Sequence, residues 1–143
     1  MSFSRSDFSA VVFKRMRKAS TPRRYQLMLQ ILLIFVIRDM DPSVAKNILR
    51  LIWASIPDSI IIFPEIENAL KNDLSLEEIK DIYNFYIEAV SIEAPKLSKP
   101  RTLKQLCRTM IRSRLCKNDL WLPSAINKLY IPLTLKGFLN LDD

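Results

Sequence analysis

The chain contains no histidine. That removes Ser-His-Asp and Cys-His catalysis and every imidazole metal ligand. Glycine is nearly absent, with Gly137 alone in 143 residues. Tight turns draw on glycine for positive φ, so sandwiches, barrels and dinucleotide-binding units are disfavoured. Cysteine occurs twice, at Cys107 and Cys116. Two thiols cannot make a zinc site, and their separation along one helical segment is too great for an easy disulfide. Reduced thiols in a cytosolic or nuclear protein are the simpler reading. Long hydrophobic runs are missing too. The longest, "LMLQILLIFVI" at residues 27–37, is too short to span a bilayer and carries Gln30. The polar "RDMDP" that follows is not a signal-peptide cleavage site. A buried core helix is expected there, and no membrane partner. No metal or other cofactor is expected.

Apolar residues make up 49% of the chain, enough for a real core. The length allows one ordinary domain, or a small domain plus a docking module. The net charge of +7 is uneven. Residues 1–25 hold seven Lys/Arg against Asp7, residues 26–100 hold seven against eleven acids, and residues 101–143 hold eight against three. Both ends are basic around a mildly acidic middle. The start is Ser- and Arg-rich, which fits a mitochondrial presequence, but a basic first helix of a soluble domain looks the same and is preferred.

Proline falls between apolar segments rather than inside them, and the pattern reads as all-α. A first helix covers about residues 7–19, with Phe8, Val11, Val12 and Met16. Thr21 and Pro22 open a second, as N-cap and first-turn proline. Asp41 and Pro42 repeat the device for a third, whose Val44, Ile48, Leu51, Ile52 and Ile56 have helical spacing. "IPDSIIIFP" is a connector, and a short helix opens at Pro64. Ser75 and Glu78 form a capping box before a fifth helix, whose stripe runs from Leu76 to Val90. The acids Glu77, Glu78, Asp81 and Glu88 read as a solvated face of that helix. Trp53 and Trp121 read as packing residues. "EAPKLSKP" then reads as a linker. The expected organisation is a helical domain over 1–95 and a module over 96–143. No intact ankyrin repeat occurs, since "TPLHxA" and its glycine turns are missing, although degenerate helix pairs fit the pattern.

The informative stretch is "PRTLKQLCRTMIRSRLCKN". Thr102 is a good N-cap, with Gln105 at the capping-box position. Leu103, Cys107 and Ile111 follow at i, i+4 and i+8, flanked by Leu106, Met110 and Leu115. Such an arc must be buried against something, and a Cys within it acts as a small hydrophobe that permits close approach. "TLKQLCRTMI" resembles the elongin-C-binding box of SOCS-box proteins: Ser/Thr/Pro, Leu, three residues, Cys, three residues, an aliphatic. Downstream, "AINKLYIPLTLKGFL" is similar to the cullin box of the same module, normally Leu-Pro-aliphatic-Pro followed by an aliphatic and an aromatic-Leu pair. Leu129, Ile131, Pro132, Leu135, Phe138 and Leu139 fall in place, and Tyr130 replaces the first Pro. The nearest resemblance is to the ankyrin-repeat and SOCS-box family.

The resemblance implies a three-helix SOCS box, with its elongin-C box at 102–111 and its cullin box at about 126–139. It implies contact with elongin C through Thr102, Leu103, Leu106, Cys107, Met110 and Ile111. It likewise implies contact with a cullin through Leu129, Tyr130, Ile131, Pro132 and Leu135. The partners would be elongin C and elongin B, cullin-5 with its RING protein, and an unknown protein substrate. Cullin-2 is the alternative, since Ile131, Pro132, Leu135 and Leu139, or "LPSAINKLY" from Leu122, also fit its looser pattern. The chain would then be a non-catalytic adaptor of a ubiquitin ligase, cytoplasmic or nuclear. A basic helical nucleic-acid-binding module is the competing reading, weakened because the basic N-terminus lacks regular aromatic interleaving. A truncated or divergent SOCS-box chain without a substrate domain is the third.

Overall fold

The computed structural model describes residues 10–90 and 101–142. Eight α-helices and no strand occur among them: α1 Ala10–Ala19, α2 Pro22–Ile37, α3 Pro42–Ser55, α4 Phe63–Leu70, α5 Leu76–Val90, α6 Leu103–Lys117, α7 Leu122–Asn127 and α8 Leu133–Asn140. The all-α expectation holds. The first helix was expected from about residue 7, but residues 7–9 lie outside the described set, as do the "EAPKLSKP" linker and the 95/96 boundary.

The helix starts follow from local chemistry. Thr21 accepts a hydrogen bond from the Arg24 amide, and Pro22 needs no partner for a first-turn N–H it lacks. The Asp41 carboxylate accepts from the amides of Ser43 and Val44. Ser75 and Glu78 close their capping box reciprocally: the Glu78 amide donates to Ser75 Oγ, and the Ser75 amide donates to Glu78 Oε2.

Contacts divide the chain into two compact units. The first takes its described residues from Met1–Arg50 and Ile60–Leu97, the second from Leu51–Ser59 and Ser98–Asp143. α3 contributes to both, changing unit between Arg50 and Leu51. In the first unit α1 packs on α2 and α4, and α5 packs on α2 and α4. The core holds Met16, Leu32, Phe35, Leu49, Ile66, Ile82 and Tyr86. The 27–37 run is thus a core helix, as expected, though Leu33 and Ile37 stay exposed. Arg24 grips Glu65 through two bonds of 2.7 and 2.8 Å, and Arg15 meets Asp73 at 2.7 Å. Lys46 meets the expected solvated acid Glu88 at 2.6 Å, a pair worth little in that exposure.

One hydrogen bond in this core is a sensitive point. The Ile61 amide donates to Tyr86 Oη at 3.0 Å, and both residues are fully buried. Tyr86→Phe keeps the ring but strands that amide. We expect a loss of about 1–3 kcal/mol, read as an earlier denaturation midpoint with unchanged helicity. A midpoint equal to wild type would show that the amide finds another acceptor.

In the second unit α6, α7 and α8 surround a small core of Ile126, Phe138 and Leu139, with Leu115, Leu122, Leu129 and Ile131 packed against it. Arg101, just before α6, donates to the carbonyls of Trp53 at 2.6 Å and Asp58 at 2.9 Å. The Trp53 carbonyl lies in the last turn of α3, where a cation meets the negative helix end. Trp53 is buried, as expected of a packing residue, but Trp121 is 77% exposed and packs little.

The one glycine sits inside α8 without needing to. A Cβ at Gly137 would meet no atom within 4 Å, and its φ is not positive. Gly137→Ala should therefore raise stability by about 0.5–1 kcal/mol, through reduced freedom of the unfolded chain. Thermal denaturation of the two proteins side by side checks this, and a lower melting temperature would refute it.

Candidate protein-docking site

α6 is a helix turned inside out. Thr102 caps it: its hydroxyl accepts from the Gln105 amide, and the Gln105 side chain accepts from the Thr102 amide. From that start the apolar residues Leu103, Leu106, Cys107, Met110 and Ile111 recur at helical spacing, on one side. All five are exposed, Leu103 by 76% and Met110 by 65%. The buried residues of the helix are instead Arg108, at 1% exposure, and Thr109.

The inward face is held by polar chemistry. The Arg108 guanidinium lies over the Phe138 ring, 4.3 Å from its centroid, and donates to the Phe138 carbonyl at 3.4 Å. Lys104 approaches the same ring at 4.2 Å. Arg112 donates to the Leu139 carbonyl at 2.6 Å. Burial pushes the Arg112 guanidinium below its ordinary value, with Arg108 adding to the shift and the Cys116 thiol opposing it. Arg108 and Arg112 thus bond carbonyls in the last turn of α8, which lack partners within their own helix. The apolar stripe is left over. A row of large apolar side chains with no cover is costly in water, and it suits a partner that supplies the cover.

The expected elongin-contact residues therefore lie together: Leu103, Leu106, Cys107, Met110 and Ile111 on the exposed stripe, with Thr102 capping it. The expected cullin-contact residues divide. Tyr130, Pro132 and Leu135 are exposed, with Tyr130 wholly in solvent. Leu129 and Ile131 are half-buried against the Ile126, Phe138 and Leu139 core. Pro132 is the N-cap of α8 rather than its first residue, and its extended ψ of 148° turns the chain into the helix. Leu133, Leu120 and Trp121 are exposed beside these and were not singled out by the motif. An open apolar cavity of about 360 Å³ lies between Leu115, Leu120, Trp121 and Leu129. Its one sequence signal is Trp121, next to a proline-opened helix. Both cysteines are free thiols.

A family model for the SOCS box matches residues 99–140. No curated protein matches the chain, and no solved structure does. The three-helix segment is a SOCS box. The match does not extend into the N-terminal helices, and ankyrin repeats are not shown. SOCS boxes in general join elongin B and elongin C to a cullin, and the proteins that carry them are typically non-catalytic adaptors. Among the described residues no helix is long and apolar enough to cross a membrane.

Proposed function

Starting from a SOCS box at residues 99–140, we propose that this chain is a substrate adaptor of an elongin B/C–cullin–RING ubiquitin ligase. It binds elongin C through the exposed stripe of α6 and a cullin through the turn into α8. The cullin is cullin-5, with cullin-2 as the alternative, because Leu129, Ile131, Pro132 and the Phe138-Leu139 ending keep the cullin-5 register while Tyr130 departs from it. The N-terminal helices over residues 1–95 hold a target protein for ubiquitination. No residue of this chain performs the transfer; the RING-bound conjugating enzyme does.

One observation carries the reading. The SOCS-box helix buries Arg108 and exposes Leu103, Leu106, Cys107, Met110 and Ile111. Helix-in-groove recognition needs an apolar row at that spacing. Co-purification of the full chain with elongin B and elongin C, then with each cullin, tests it. The elongin complex should persist as salt is raised, because apolar docking depends little on ionic strength. Phosphate binding by the basic segments would fall by about 10³–10⁵ between low and moderate salt for a protein making several phosphate contacts. Capture of nucleic acid with that steep salt dependence, and no elongin capture, would move the reading to the nucleic-acid class.

A further inference from the structure

Resting on that adaptor reading, we propose that Arg112 is a positioning residue for cullin capture, one that holds the cullin-box helix on the elongin helix without touching the cullin. The bond from its guanidinium to the Leu139 carbonyl, at 2.6 Å, links α6 to α8 more closely than the 3.4 Å bond from Arg108 to the Phe138 carbonyl. It arises on the face of α6 opposite the exposed apolar stripe. Leu139 lies in the last turn of α8, while Pro132 and Leu135 lie at its start.

The C-terminal end of α8 needs such a clamp. Leu141 closes it in the left-handed region, at φ 68°, without being glycine. The Gly137 carbonyl takes the amides of Leu141 and Asp142, which leaves the carbonyls of Phe138 and Leu139 to the arginines of α6. Positive charge there also meets the negative end of the helix. A short helix of eight residues, with its proline N-cap giving no side-chain hydrogen bond, has little intrinsic stability. Its orientation therefore depends on packing and on this clamp. Elongin docking on one face of α6 and cullin presentation through the other are separate jobs of one helix.

The test compares full-length wild type with Arg112→Ala, Arg112→Lys and Arg114→Ala, each co-expressed with elongin B and elongin C. Cullin capture and amide hydrogen exchange are the readouts. Arg112→Ala should keep its elongin C affinity, lose cullin capture by about tenfold or more, and exchange faster over residues 133–142. Arg112→Lys keeps a donor at the same place and should recover part of the capture. Arg114→Ala removes an exposed charge from the stripe side of the same helix and should leave exchange over residues 133–142 as in wild type. Three outcomes overturn the proposal: Arg112→Ala captures cullin normally, it loses elongin C and cullin equally, or it loses cullin while exchange at α8 is unchanged. If wild type binds no elongin C, the adaptor reading fails, and the exchange arm still decides whether Arg112 holds α8.

Discussion

The double substitution Leu103→Ala and Cys107→Asp is expected to abolish elongin C capture and leave the fold intact. Burying a leucine contributes about 2 kcal/mol, and this one is three-quarters exposed in the free chain, so most of that term belongs to the complex. Cys107→Asp puts a carboxylate where a small apolar surface should meet the partner. An unpaired buried charge costs several kcal/mol, so together the changes should weaken binding by about three decades or more. In the free protein both sites face water, so the melting temperature should shift little. A titration of elongin B/C against the two proteins, with a melt of each, gives both numbers. Wild-type affinity in a folded double mutant would end the assignment of α6 to elongin C. A collapsed melt would mean that the stripe supports the chain's own fold, contrary to its exposure.

The separation of affinity from stability in this experiment comes from something the sequence could suggest but not decide. The stripe at residues 103, 106, 107, 110 and 111 was readable from spacing, and so were its cap at Thr102 and the capping-box Gln105. Spacing says that a face is apolar, not which way it points. An internal core and a docking surface have the same period. The orientation follows from where Arg108 and Arg112 find carbonyls, and those lie in α8, about thirty residues away in the chain. Long-range partners of a polar side chain leave no local signal. The helix starts were legible for the opposite reason. Thr21, Asp41, Ser75 and Thr102 bond amides within three residues of themselves, so the whole interaction lies inside one short quotation.

Two other features were beyond local reading. Residues 51–59 group with the C-terminal unit, and Arg101 reaches the carbonyls of Trp53 and Asp58, a contact between distant parts of the chain. Trp121 looked like a packing residue by type, yet it stands exposed beside an open apolar cavity. Aromatic type predicts a large contact area but not whether the contact is internal. The cullin box shows the same limit. Leu129 and Ile131 match the motif as well as Pro132 does, but the first two lean on the core, while Pro132 and the departing Tyr130 face water.

That division leads to the second large effect, at Ile126. This side chain is completely buried at the centre of a small core whose other buried members, among the described residues, are Phe138 and Leu139. Truncating a buried isoleucine to alanine costs about 2–5 kcal/mol, set by how far the site can collapse. Here collapse is limited, because α7 is six residues long and α8 eight, and neither has a side-chain cap. A loss of that size is large against what so small a core can supply, so Ile126→Ala should unfold α7 and α8 locally. Leu129 and Ile131 would lose their support, and the exposed Tyr130, Pro132 and Leu135 would lose a fixed arrangement. Cullin capture should then disappear. Elongin C capture should weaken but persist, since α6 carries its own capping box and its docking stripe takes no part in this core. Hydrogen exchange would show the loss over residues 122–142, and excess elongin B/C should restore some protection there, because a ligand of the folded state stabilises it in proportion to ln(1 + [L]/Kd). Protection unchanged from wild type would mean that the small core is not what holds the cullin box. Cullin capture unchanged despite lost protection would mean that the cullin itself orders α7 and α8 on contact.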